Sequence, residues 1–181
     1  MKVGLVRHFK VIESHKYLLT SDEFNRWIKH YDEAKIEYND VTDLNKDEWD
    51  ICYTSNLYRA IKTAEYVFAG EIMKTNLLKE IPIAPFTKHR IYLPHYLWLL
   101  LGRLLYLVNH KSQPEKLTET RDRVRKLVRN LMNAGEKNIL IISHGFLMRY
   151  IIKELYALGY KGSNFKRPEN GRLYVFENKN I

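Results

Sequence analysis

Two short stretches of the chain, Val3-Gly-Leu-Val6 and Asn138-Ile-Leu-Ile-Ile-Ser143, are aliphatic almost without a break. Runs of this kind fill strands covered on both faces, so both are expected to be buried strands of one sheet. Asp50-Ile-Cys-Tyr-Thr54 and Leu77-Leu-Lys-Glu-Ile-Pro-Ile83 are weaker strand candidates, the second limited by Pro82, and Arg172-Leu-Tyr-Val-Phe-Glu177 alternates as a half-exposed strand does. Helical spacing fills the intervals. Thr20-Ser-Asp-Glu23 reads as a capping box opening a helix that carries Phe24, Trp27, Ile28 and Tyr31 on one face. A second helix is expected from about Tyr58 to Ala69, stopped by Gly70. A third runs from Glu115 to Ala134 with an apolar stripe of Leu117, Val124, Leu127, Val128, Leu131 and Met132, and Gly135 closes it; a fourth spans Phe146 to Leu158. Alternating strands and helices predict an α/β fold, a three-layer α/β/α sandwich around a mostly parallel sheet of about five or six strands.

Ile91 to Val108 is very apolar and long enough to suggest a membrane span. Pro94, His95, Gly102 and Arg103 interrupt it, and it lies inside the α/β alternation, so a cap or buried helix is expected instead. This segment is expected either to form the lid side of a pocket or to present a face for a homodimer, with Arg103 or Arg90 as candidate secondary anion contacts; ordinary core packing with a snorkelling arginine is the plainer alternative.

At 181 residues the chain is long enough for one domain with a core of its own, and 45% hydrophobic with 13% aromatic residues is a globular balance. Cys52 has no second cysteine to pair with, and the apolar N-terminal run is broken at once by Arg7-His8, so no secretory signal is read and a cytoplasmic compartment is expected. Thirty basic against 21 acidic side chains leave +9; residues 32–50 carry eight acids against Lys35 and Lys46, so this −6 stretch leaves +15 elsewhere. The basic remainder is the part that attracts anions.

Ligands in open α/β sheets bind beyond the carboxyl ends of strands. Of seven histidines, His8 and His144 each close one of the aliphatic strands. Either alone is also what a hydrogen-bonded histidine at a sheet edge looks like. Arg7, on a buried strand, needs an anion or an acidic partner, and its planar fork suits two phosphate oxygens or one carboxylate. In Tyr53-Thr-Ser-Asn-Leu-Tyr-Arg-Ala-Ile-Lys-Thr-Ala64, Arg59 falls in the first turn of a helix, where the helix dipole favours acids. It either reaches for a ligand or is simply solvated.

Four ordered motifs together resemble the histidine phosphatase superfamily, which includes the phosphoglycerate mutases. Arg7-His8-Phe9 stands for the family's Arg-His-Gly, and Thr54-Ser-Asn-Leu-Tyr-Arg59-Ala-Ile-Lys-Thr-Ala64 for its Ser-Ser-Pro-Leu-x-Arg-Ala-x-Gln-Thr-Ala. Leu78-Lys79-Glu80 is similar to its Leu-x-Glu, and Ile142-Ser143-His144-Gly145 to its Val-Ser-His-Gly. The resemblance implies a single phosphoglycerate mutase-like domain over 1–181 with a helical cap-like insertion around 86–113. It implies that His8 is the nucleophile and becomes a phosphohistidine, that Glu80 protonates the leaving oxygen, and that Arg7, Arg59 and His144 hold the phosphoryl oxygens. Two arginines and a histidine supply the charge neutralisation that phosphoryl transfer needs, so neither metal nor cofactor is expected. His8 must present an unprotonated nitrogen, and Glu80 needs a raised pKa to act as an acid.

Phe9 replaces the family glycine and is expected to add an apolar wall to the pocket. Val11 and Ser14 stand where family mutases hold substrate with Ser or Thr and with Asn, and Ala84 stands where many relatives have glycine. The expected activity is therefore phosphatase, with phosphoglycerate mutase-type transfer as the alternative. The expected partner is a small phosphorylated substrate or a phosphoprotein, with neither membrane nor nucleic acid. A basic polyanion-binding protein, suggested by Arg121, Arg123, Arg125, Lys126 and Arg129, is a third reading; the plain account of that cluster is a solvated helix face.

Overall fold

In register, the two aliphatic runs become the centre of the molecule. The computed structural model describes residues 1–41, 43–133, 135, 138–163 and 165–178. Along the chain come β1 (Lys2–Arg7), β2 (Lys10–Val11), β3 (Leu18–Leu19), α1 (Ser21–Glu33), β4 (Ile36–Glu37), β5 (Ile51–Ser55), α2 (Tyr58–Val67) and β6 (Ile72–Thr75). There follow β7 (Leu93–Pro94), α3 (His95–Leu107), α4 (Leu117–Asn133), β8 (Asn138–Ser143), α5 (Gly145–Ala157), β9 (Lys161–Gly162) and β10 (Leu173–Glu177). Six strands form one sheet in the order β6-β5-β8-β1-β10-β9. The first four are parallel, and β10 and β9 add an antiparallel edge.

Side chains leave a strand alternately to its two faces, and the burial follows that period. Val3, Leu5, Ile139 and Ile141 pack with Leu127, Leu131, Leu147 and Ile151 of α4 and α5, whereas Val6, Leu140 and Ile142 pack with Ala60, Ala64 and Val67 of α2. These are the three expected layers. A third cluster joins Phe24 of α1 to Trp98 of α3, with Trp27, Ile28, Ile83 and Leu99 against it, and holds these two helices together beside the carboxyl end of β1. The capping box of α1 forms as expected: the Thr20 hydroxyl accepts from the Glu23 N–H, and the Glu23 carboxylate accepts from the Thr20 N–H.

One strand expectation is corrected. Residues 77–83 do not pair in the sheet; Asn76–Leu78 form a 3-10 turn, and Ile72–Thr75 take the place beside β5. Leu78 and Ile81 are buried, which accounts for the apolar pattern, but arginine side chains satisfy this backbone. Arg123 donates to the carbonyls of Leu77 and Lys79, and Arg103 to that of Ile81. The same contacts remove Arg123 from the basic face of α4, where it also pairs with Glu115. The second helix ends at Val67, before the expected Ala69. Gly135 has a left-handed φ of 82°, in keeping with a closing glycine; Ala134, the expected last residue of that helix, lies outside the described residues. No described helix is long and apolar enough to cross a membrane.

Candidate active site

β1 and β8 are parallel neighbours, and their register pairs Arg7 with Ser143. The next residue of each strand is therefore a histidine beside a histidine. The His8 amide donates to the Ser143 carbonyl at 3.0 Å, and the two imidazole centroids are 5.0 Å apart. Nδ1 of His8 lies 2.6 Å from the carbonyl of Phe9. A carbonyl can only accept, so Nδ1 carries the proton and Nε2 the free lone pair. Burial above all, and then the nearby Arg59 and Arg7 charges, hold the His8 pKa well below the ordinary value despite that hydrogen bond. His144 lies beside it, completely buried, and neither ring nitrogen has a protein partner among the described residues. Burial above all, and then the Arg59 and Arg7 charges, keep it neutral as well.

Arg7 lies across the start of α5. Nη1 donates to the Pro168 carbonyl at 3.0 Å, while the buried Nε has no partner. Its position depends on Gly145: a Cβ there would stand 3.1 Å from Nε and 3.2 Å from Cζ of the guanidinium. Arg59 is buried, which excludes the solvated reading. Nη1 meets Asp32 at 2.7 Å, the guanidinium lies 5.0 Å from the Tyr31 ring centroid, and Nε is unpartnered. The Thr63 hydroxyl donates to the Arg59 carbonyl and accepts from the Phe9 amide, which ties the start of α2 to the end of β1. Buried polar atoms usually have partners. Here Nε of both arginines and the His144 ring are left over near His8; the two Nε–H groups and the single N–H of the neutral imidazole are donors suited to an oxyanion.

The Glu80 carboxylate faces the same place from the segment after the 3-10 turn. Oε1 accepts from the amides of Ile81 and Leu147, Oε2 from the amide of Phe146, and Arg103 stands 4.0 Å away. It thus satisfies first-turn N–H groups of α5, a helix with no side-chain N-cap. Arg7, His8, Arg59 and Glu80 line one cavity of about 550 Å³. Of the four residues expected to hold the phosphoryl group or supply the proton around His8, only His144 is not in the cavity lining; it lies buried next to the His8 ring.

Trp27, Ile28, Tyr31 and Asp32 of α1 supply one wall, and Pro82, Ile83, His95, Leu99 and Arg103 another; Glu13, Arg149 and Arg167 complete the rim. The expected contact of Arg103 with the pocket is present. Arg90 is not part of the lining, and its guanidinium donates to the Tyr92 hydroxyl instead. Phe9 is a correction. Its ring is buried in the α2-side cluster with Val6, beside Tyr38, Tyr66 and Gly171, and forms no wall of the cavity. Strand β1 ends at Arg7, and beyond it the alternation breaks: Phe9 joins Val6 in the α2-side cluster instead of following Val3 and Leu5 to the other face. Among the described residues no group of three His, Cys, Asp or Glu side chains is arranged to hold a metal ion.

A profile of the histidine phosphatase superfamily (branch 1) matches residues 41–180. That span holds Arg59, Glu80 and His144; the sheet brings Arg7 and His8 to them. No curated protein matches the chain. Among solved structures, a putative alpha-ribazole-5'-P phosphatase from Escherichia coli superimposes with a TM-score of 0.60 at 18% identity, over 99% of this chain and 92% of that one. The alpha-ribazole phosphatase of Shigella flexneri gives 0.56 at 18% identity, with coverage of 99% and 92%. A mutant phosphoserine phosphatase from Entamoeba histolytica, in complex with phosphoserine, gives 0.52 at 22% identity, with coverage of 86% and 80%. At such identities the likeness is one of fold.

Proposed function

The chain belongs to the histidine phosphatase superfamily, and on that premise we propose that it is a metal-independent phosphatase that hydrolyses a phosphomonoester through a phosphohistidine. The observation that carries this reading is the His8 ring, neutral and fixed through Nδ1, among the unpartnered nitrogens of Arg7, Arg59 and His144. Nε2 attacks phosphorus as the P–O bond to the leaving group breaks, and Glu80, which takes up a proton when the anionic substrate binds beside it, gives that proton to the departing oxygen. Glu80, now a carboxylate, takes a proton from water. The resulting hydroxide attacks the phosphohistidine, which breaks the P–N bond and releases inorganic phosphate and His8. The two arginines neutralise charge on the transferring oxygens, the main demand of phosphoryl transfer, and the neutral His144 ring offers one N–H.

Phosphatase is favoured over mutase by two positions. Val11 is buried in the core and Ser14 is exposed; neither lines the cavity, so neither holds a substrate there. The segment 86–113, with α3, serves as the cap over the leaving group.

With 4-nitrophenyl phosphate, turnover is expected to continue in excess chelator and to fall on the order of 10³-fold or more in His8→Ala. Acid-quenched wild type is expected to carry acid-labile phosphate. Full activity of His8→Ala refutes the mechanism, and conversion of phosphoglycerate isomers without release of phosphate favours the mutase.

A further inference from the structure

The pocket holds three acids although its substrate is an anion. Asp32 is paired with Arg59, and Glu80 receives backbone N–H groups. Glu13 is different. Its neighbours are the Trp27 indole, which donates to Oε2 at 2.8 Å, and Nδ1 of His15, 3.0 and 3.2 Å from the two oxygens. Burial works to raise its pKa, but these hydrogen bonds outweigh it and keep the group ionised. No lysine or arginine is paired with it among the described residues, so an acid stands in the wall with lone pairs to spare.

His95 stands at the same place. It is 9% exposed, lines the cavity, and its Nε2 has no partner among the described residues. Its ring packs at 3.8 Å on His15 and edge-on at 4.1 Å to Trp27. Burial above all, with the neighbouring His15, lowers its pKa against the opposing pull of Glu13, so the ring is neutral. A carboxylate and a neutral imidazole, side by side against an indole, are acceptors that an alkylammonium group binds to. The place is about 6 Å along α1 from the level of the phosphate cradle, because Trp27 and Tyr31 are one helical turn apart and Tyr31 lies against Arg59. Ile28, Ile83 and Leu99 make the wall between them apolar.

We propose that Glu13, Trp27 and His95 form a subsite for an ammonium group on the leaving portion of the substrate, so that the enzyme acts on phosphomonoesters of amine-bearing alcohols or phenols. This rests on the phosphatase reading above and adds the substrate class.

Three aryl phosphates that differ only at the far end test it: 4-(2-aminoethyl)phenyl phosphate, 4-ethylphenyl phosphate and 4-(2-carboxyethyl)phenyl phosphate. The ammonium compound is expected to exceed the ethyl compound about tenfold in kcat/KM, mostly through KM, with the carboxylate poorest. In Glu13→Gln, which keeps an acceptor for the Trp27 indole but no charge, the ammonium-to-ethyl ratio is expected to fall close to one. Equal wild-type rates, an unchanged ratio in Glu13→Gln, or a preference for the carboxylate each overturn the subsite and leave the phosphatase standing. The wild-type ratios decide the matter even if the variant does not fold. If none of the three, nor 4-nitrophenyl phosphate, is turned over, the phosphatase reading falls and takes the subsite with it.

Discussion

His8 and His144 are neutral because they are buried, and that makes the fold sensitive to acid. Above the ordinary histidine value of about 6.5 neither state binds the proton and the stability is fully present. Below it the unfolded chain protonates both rings while the folded chain does not. Stability then falls by up to about 1.4 kcal/mol per pH unit for each ring until the folded rings titrate. Urea midpoints of wild type and His144→Gln at pH 7.5 and 5.5 measure this; the variant is expected to lose less on acidification, and an equal loss refutes the account. Arg7, His8, Arg59 and His144 were legible as single residues because each sits at a strand end or helix start, where position alone suggests a ligand. Asp32, Glu13 and His95 were not, since an acid on a solvated helix face and an acid in a pocket wall look the same in sequence. The direction of Phe9 was not legible either, because alternation through β1 puts it with Val3 and Leu5, whereas the chain turns after Arg7 and packs it with Val6.

At the scale of elements, α1 carries much of the pocket wall, so its anchoring matters to the site. Thr20→Ala removes the capping hydroxyl and is expected to cost about 1 kcal/mol, or roughly 2–4 °C in Tm, with a fall in kcat/KM as Trp27 and Tyr31 lose their fixed place. Helix α5 presents the opposite case, a start that depends on having no side chain. A methyl at Gly145→Ala presses on the Arg7 guanidinium and is expected to lower kcat/KM about tenfold, a loss of about 1.4 kcal/mol in the transition state, while the urea midpoint changes little; an unaltered kcat/KM contradicts the assigned role of Arg7. Elements with regular periodicity, β1, β8, α4 and the start of α1, were visible beforehand to within a residue or two. Residues 77–83 were not. Their apolar side chains are buried as a strand's would be, but Arg103 and Arg123, distant in sequence, take up the carbonyls.

For the molecule as a whole, the unpartnered donors of the cradle link ligand to fold. An anion that occupies them binds the folded chain alone, so vanadate or phosphate at a hundred times its Kd is expected to add about 2.7 kcal/mol to the stability. A thermal scan with and without the anion measures it, and Arg59→Ala is expected to abolish most of the shift. The layered architecture was legible because alternation of strands and helices leaves few ways to cover a sheet. How α1 and α3 close over one end of it was not, because it depends on Phe24 meeting Trp98, a contact between distant parts of the chain.

The pairing of Arg7 with Ser143 also sets which kinds of genetic change the protein can survive. Exchanging one aliphatic residue of β1 or β8 for another alters packing by a small amount. Deleting one moves every later side chain of the strand to the opposite face, so Phe9 would take the place of His8, and His8 that of Arg7 beside the start of α5. Single-codon losses in these two segments should therefore be far more damaging than any conservative replacement there, although both leave the composition almost unaltered.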